Sequence, residues 1–178
     1  MDAAFVALFH HHAWASDQLL AACESLPPDH LEWITLGTYG GLGATLRHLV
    51  EAEERYVSRL RGDAEQPGPA ANQPDPPLPP EALAPSVPVL RRRAAASGRA
   101  LVELAGSYAP DAILHTTFHG EPVTLPAVVL FAQALDHGGE HRTQVRHALT
   151  ILGYDPPDID AWSWDDAVRG EPEAGAPA

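Results

Sequence analysis

The chain has 178 residues, which fits one domain with an appendage, and 45% of them are apolar, enough for a sizeable core. Its formal net charge is −13 and all 11 basic residues are arginine, so it lacks the footprint of a non-specific nucleic-acid binder and would be repelled by anionic lipid. No apolar run approaches a membrane span, the start MDAAFVALFHHH has no basic leader region, and the single Cys23 excludes an internal disulfide framework. The expectation is a cytoplasmic protein that acts on a small molecule, with no nucleic-acid and no membrane partner.

In chain order, the first helix is expected from about Asp2 to Leu26. There Phe5, Leu8, Phe9, His12, Ser16, Leu19 and Cys23 recur at steps of three and four, and Pro27-Pro28 stops the pattern. A second helix is expected over Leu42–Arg61, with Leu42, Leu46, Leu49, Glu53, Tyr56 and Leu60 on one side. Nine of the 18 prolines fall between Pro67 and Pro88, so Gly62–Pro85 has the composition of a solvated linker. The third helix should run from Ser86 to Tyr108 on Leu90, Ala94, Ser97, Leu101 and Leu104. Residues Ala112–Val123 alternate and turn at His119-Gly120, a small hairpin or loop. Thr124 is the expected N-cap of a fourth helix, with Pro126 in its first turn, which continues to Leu152 before Asp155-Pro156-Pro157 ends it.

Four helices of about 20 residues, without strong strands, imply an all-α antiparallel four-helix bundle with a small loop or hairpin embellishment. The expected domain spans residues 1–169, with 62–85 as its inter-helix linker and 170–178 as a disordered tail.

The fourth helix carries the chemistry. At 100° per residue, with Leu130 at zero, Ala148 returns to zero while His137 and His141 fall at about −20° and about +20°. Two imidazoles thus sit one turn apart within the apolar stripe, close enough for one metal ion. A lone histidine there is more often a satisfied core residue, and HxxxH alone is a weak signal. A buried pair, however, needs partners for its polar atoms. A third ligand must come from another helix, and His48, at the border of the Leu42–Leu49–Tyr56 stripe, is the candidate. Three neutral imidazoles leave a position open, as in catalytic sites. Such ligation suits zinc, nickel, iron or copper; zinc or nickel is the working expectation, with iron or manganese next.

Three stretches, WASDQLL (Trp14–Leu20), LRHLVEAE (Leu46–Glu53) and HGGEHRTQV (His137–Val145), resemble the signatures of the DinB/YfiT-like superfamily. The resemblance covers about residues 5–153 and implies a four-helix bundle with a three-histidine metal site at His48, His137 and His141. Thr143 stands where that family commonly has glycine. The resemblance further implies a metal-dependent enzyme that activates a low-molecular-weight thiol such as mycothiol or bacillithiol for transfer. The alternatives it leaves are a metal-dependent hydrolase and a non-catalytic metal-binding stress protein, and it suggests a homodimer.

Other residues carry weaker signals. Of the His10-His11-His12 run, two are expected in solvent and His12 inward, where it can line the pocket. His115 and His119 lie on the hairpin, and the loops Thr35–Gly41 and His115–Glu121 are placed to line a pocket mouth. Gln144 borders the stripe and can bond a ligand. Asp136, Arg142 and Arg146 fall outside the stripe. Glu51, Glu53 and Glu54 form a mostly solvated face, on which Glu53 is the one to watch as a base. His30 and His147 read as surface residues and Cys23 as a small core residue. Trp162 and Trp164 are exposed aromatics in need of a partner surface.

Overall fold

Proline and glycine punctuation sets most of the helix ends. The computed structural model describes residues 3–35, 38–63, 86–118 and 120–170. Helix α1 (Ala3–Cys23) stops ahead of Pro27, and Pro28 then opens the single turn α2 (Pro28–Leu31), as proline does at a first helical position. Helix α3 (Leu42–Arg61) ends on Gly62, whose φ of 74° lets its N–H turn back to the Arg59 carbonyl. Helix α4 (Val87–Ser107) carries Pro88 in its first turn. Strands β1 (Ile113–Phe118) and β2 (Glu121–Pro126) form an antiparallel pair that brings His115 opposite Thr124. Helix α5 (Ala127–Ile151) follows, and α6 (Ala161–Arg169) closes the described chain.

One expectation is corrected, and one helix appears that the periodicity did not show. Thr124 does not cap a helix: it belongs to β2, where its hydroxyl pairs with His115 Nδ1 at 3.0 Å, and α5 begins after Pro126. The segment after Asp155-Pro156-Pro157 holds α6, capped by the Asp160 carboxylate, which accepts from the Ser163 N–H at 2.8 Å. The described residues are therefore mostly helical, in six helices with one two-stranded sheet. The linker expected over Gly62–Pro85 lies outside the described residues except for Gly62 and Asp63. So do His119 and the tail expected to be disordered, except for Gly170.

The four long helices pack in a ring: α1 on α4, α4 on α3, α3 on α5, and α5 on α1. Their pairings give directions. Arg91 bonds Asp17 while Gly98 lies against Ala13, so α1 and α4 are antiparallel. Glu54 meets Arg93 and the Leu60 carbonyl meets Tyr108 Oη, so α3 and α4 run parallel. Phe9 packs on Phe131 and His12 meets Arg142, so α1 and α5 run parallel as well. The antiparallel arrangement expected from the sequence thus holds for two of the four neighbouring pairs and is corrected for α3–α4 and α1–α5. The parallel α3–α4 pair needs a connection long enough to return along a whole helix.

The apolar core divides along the helices. One cluster centres on Leu19, Leu46, Leu90 and Leu149, the other on Phe9, Leu60, Leu101 and Phe131. Between them all four helices contribute polar groups: His12, Ser16, Glu53, Ser97, His141 and Arg142. Apart from Thr45, these are all the buried polar or charged side chains among the described residues. No described helix is long and apolar enough to cross a membrane.

Candidate metal centre

His48 stands two turns into α3, and His137 and His141 stand on successive turns in the middle of α5. Because α3 and α5 pack directly, the three rings meet between them. His137 Nε2 lies 3.1 Å from His48 Nε2 and 3.1 Å from His141 Nε2, and the three donor atoms all lie within 4.8 Å of one another. The sequence-expected ligands are thus brought together. His141 is buried, while His48 and His137 are half-buried, so the cluster opens on their side.

The donor chemistry fits a cation. An imidazole Nε2 carries either one hydrogen or one lone pair, so His137 Nε2 cannot make a proper hydrogen bond to both neighbours. Gln144 settles the tautomer of His141. Its amide nitrogen donates to Glu140 at 3.4 Å, and its Oε1 accepts from His141 Nδ1 at 2.7 Å. The hydrogen is then on Nδ1, and the Nε2 lone pair points into the cluster, the outer-shell arrangement typical of a metal-binding histidine. Burial, followed by the neighbouring His141 and His48 rings and the charges of Arg55 and His12, pushes His137 down to about 3. It is neutral at physiological pH, as a histidine that is to ligate a metal must be.

The walls come from α3 and the turn before it. Tyr39 stacks on His48 with centroids 3.9 Å apart and 15° between planes, and Tyr56 meets His137 edge-on at 5.8 Å. The turn that carries Tyr39 is tied down locally. Thr38 donates to the carbonyls of Thr35 and Gly40, and Thr45 accepts from the Tyr39 N–H at 3.0 Å. Gly40, at φ 75°, makes the turn. The expectation that Thr35–Gly41 approaches the mouth is met by Tyr39. The hairpin instead contacts the far end of α3, where Arg59 donates to the Thr117 carbonyl and covers the Phe118 ring. His115 is exposed there, in a cavity of about 390 Å³ shared with Asp63.

Several other residues fall elsewhere than expected. His12 is buried at 1% exposure, but it does not join the three rings. Its Nε2 donates to Glu53 at 2.7 Å, and its Nδ1 accepts from Arg142 at 3.1 Å. Glu53, expected on a mostly solvated face, is 6% exposed and also accepts from Ser97. Arg142, expected outside the stripe, is 8% exposed and donates to Ser16 at 3.1 Å. Burial pushes its pKa down to about 10 against the pull of Glu53, so it stays charged at neutral pH. The available signal was the polar residue at a core position of each helix: Ser16, Glu53 and Ser97 all occupy apolar stripes.

His10 and His147 are exposed, as expected. His11 is half-buried and bonds the Ile159 carbonyl at 2.9 Å, and His30 bonds Tyr154 Oη at 2.8 Å, so neither is a plain surface residue. Cys23 is buried, and desolvation pushes its thiol up to about 12, which agrees with a core role. The Arg91-Arg92-Arg93 run is not a basic patch, because Arg91 pairs with Asp17 and Arg93 with Glu54. In comparison with known proteins, no curated protein matches the chain, and the model of the DinB family matches residues 1–173.

Proposed function

This chain belongs to the DinB family, and from that membership and the geometry of its three imidazoles we propose a metal-dependent thiol S-transferase. It would hold one divalent transition ion, zinc or nickel foremost, through His48, His137 and His141. The four long helices are then the four-helix bundle of that family, and the ion sits halfway along it. One observation carries the proposal. On a tetrahedral zinc with Zn–N near 2.05 Å, two nitrogens lie about 3.3 Å apart, and two Nε2 pairs here lie at 3.1 Å.

A cation held there supplies Lewis acidity, lowering the pKa of a thiol or water beside it toward neutrality. The residues of the chain do the rest. Gln144 keeps the His141 lone pair aimed inward, and burial keeps His137 unprotonated at neutral pH. Tyr39 and Tyr56 hold the half-buried rings in place and offer an aromatic wall for a small organic substrate. In the reaction the thiol gives its proton to solvent and its sulfur forms the new S–C bond. A halide departs with the bonding pair, an epoxide oxygen keeps that pair and takes a proton from solvent, and an activated alkene takes a proton from solvent at its other carbon. Mycothiol and bacillithiol are the candidate thiols.

Elemental analysis of tag-free protein should find one transition metal per chain, lost in the His48/His137/His141 triple-alanine variant. Metal-loaded protein should accelerate conjugation of one of these thiols to a halide, epoxide or activated alkene. Metal retained by the triple variant refutes the site. Stoichiometric metal without thiol transfer, and without thermal protection by either thiol, refutes the transferase and leaves a metal-binding protein.

A further inference from the structure

The polar layer that divides the core lies at the level of the three histidines and draws on α1 and α4 as well as on the two helices that carry them. On α5, Gly138 and Arg142 repeat the spacing of His137 and His141 one residue along. This second i,i+4 row therefore faces α1 while the first faces α3. His12 of α1 occupies the space that a side chain at position 138 would take: a Cβ there would lie 2.4 Å from His12 Cε1 and 2.9 Å from Arg142 Nη1. The other edge of the His12 ring reaches Glu53 on α3, five residues past His48. A continuous chain of contacts thus runs from Glu53 through His12 to Arg142, linking the two helices that carry the ligands. Ser97 on α4 and Ser16 on α1 complete the partners of the carboxylate and the guanidinium.

An apolar layer would continue the core on either side at less cost, since buried ion pairs rarely outdo well-packed apolar groups in stability. What such a layer does provide is a single register. Apolar side chains tolerate small rotations of a helix, whereas a ring that must donate to Glu53 and accept from Arg142 tolerates few. We propose that His12, Glu53 and Arg142 form a clamp that sets the rotation of α5 against α3 and thereby aims His137 and His141 at His48. They are positioning residues of the metal centre, and the proposal rests on the metal-binding reading above.

The test uses the full-length, tag-free protein, titrated with Co(II) against a competing chelator and followed by its visible absorption. Two variants loosen the clamp without touching a ligand. Glu53→Gln removes the charge but keeps the shape, and Gly138→Ala drives a methyl group into the His12 ring. The control is Leu90→Ala, which empties a fully buried position in the apolar cluster two turns before Ser97 on α4. It weakens helix packing from an apolar cluster that contains neither the clamp residues nor the three histidines. Thermal melts of the metal-free proteins show which variants keep a cooperative fold, and two independent clamp variants guard against the loss of one.

Loss of an outer-shell partner bonded directly to a ligand costs roughly 10–100-fold in metal affinity, and the clamp, one step further out, should act at about the low end of that range. Each folded clamp variant should show a loss of that size with a shifted cobalt absorption band, while Leu90→Ala lowers the melting temperature yet keeps wild-type affinity and spectrum. Clamp variants with wild-type affinity and spectrum overturn the proposal, as does an equal loss in Leu90→Ala. Failure of the wild-type protein to take up cobalt overturns the metal-binding reading itself, and the clamp with it.

Discussion

The parallel run of α3 and α4 makes a sharp demand on the chain between them. Leu60 at the end of α3 lies beside Tyr108 at the end of α4, so the chain leaving Arg61 must travel back along all 21 residues of α4 to reach Val87. At 1.5 Å per residue that is about 30 Å, which takes at least about nine extended residues. Replacing Gly62–Pro85 with 12 Gly/Ser residues should therefore leave stability nearly unchanged, because halving a loop alters its closure entropy by only about 0.6 kcal/mol. A two-residue connector reaches about 10 Å. Each α4 residue that unwinds recovers roughly 5 Å, by extending and by shortening the gap, so about four must unwind. Val87 and Leu90, at 5% and 1% exposure, would leave the core, a loss of about 3–6 kcal/mol. Urea denaturation measures both variants, carried in a Trp162→Ser background so that size-exclusion chromatography can detect domain-swapped dimers. A monomeric two-residue variant within about 1 kcal/mol of wild type would refute the parallel arrangement. A loss above about 2 kcal/mol in the 12-residue variant would show that the segment does more than span.

His141→Ala should remove the metal and any thiol transfer while retaining the circular-dichroism signature of a folded helical protein; retained stoichiometric metal contradicts the ligand set. Cys23 should resist a disulfide reagent such as DTNB at pH 8 in the folded protein and react at once in denaturant, because burial holds its pKa near 12; fast labelling of the native protein would show that the α1 end opens. The protein should form a homodimer in light scattering, with Trp162, 79% exposed on α6, at the contact. Trp162→Ser should shift it toward monomer, and a wild-type monomer at all micromolar concentrations counts against dimerisation.

How much of this was legible in the sequence follows the range of the forces involved. The i,i+4 spacing of His137 and His141 and their place on the apolar stripe follow from helix periodicity alone, and that is why the candidate ligand pair was recognisable. The extent of α3, Leu42–Arg61, was likewise set by local signals, the apolar period and Gly62. Thr124 was misread because a threonine ahead of a proline suits a helix cap as well as a strand, and only pairing across to His115 decides between them. Helix α6 was missed because nine residues with few buried partners carry little periodic signal. Arg142 shows the limit most plainly. A helical wheel measures its distance from the centre of one stripe, but α5 packs against both α3 and α1, so its buried arc is wider than its apolar stripe. The sequence by itself determined which residues could share a metal ion. That a charged side chain would turn inward to meet His12 and Glu53 was decided by the second neighbouring helix, since a buried charge is tolerated only where other parts of the fold supply its partners.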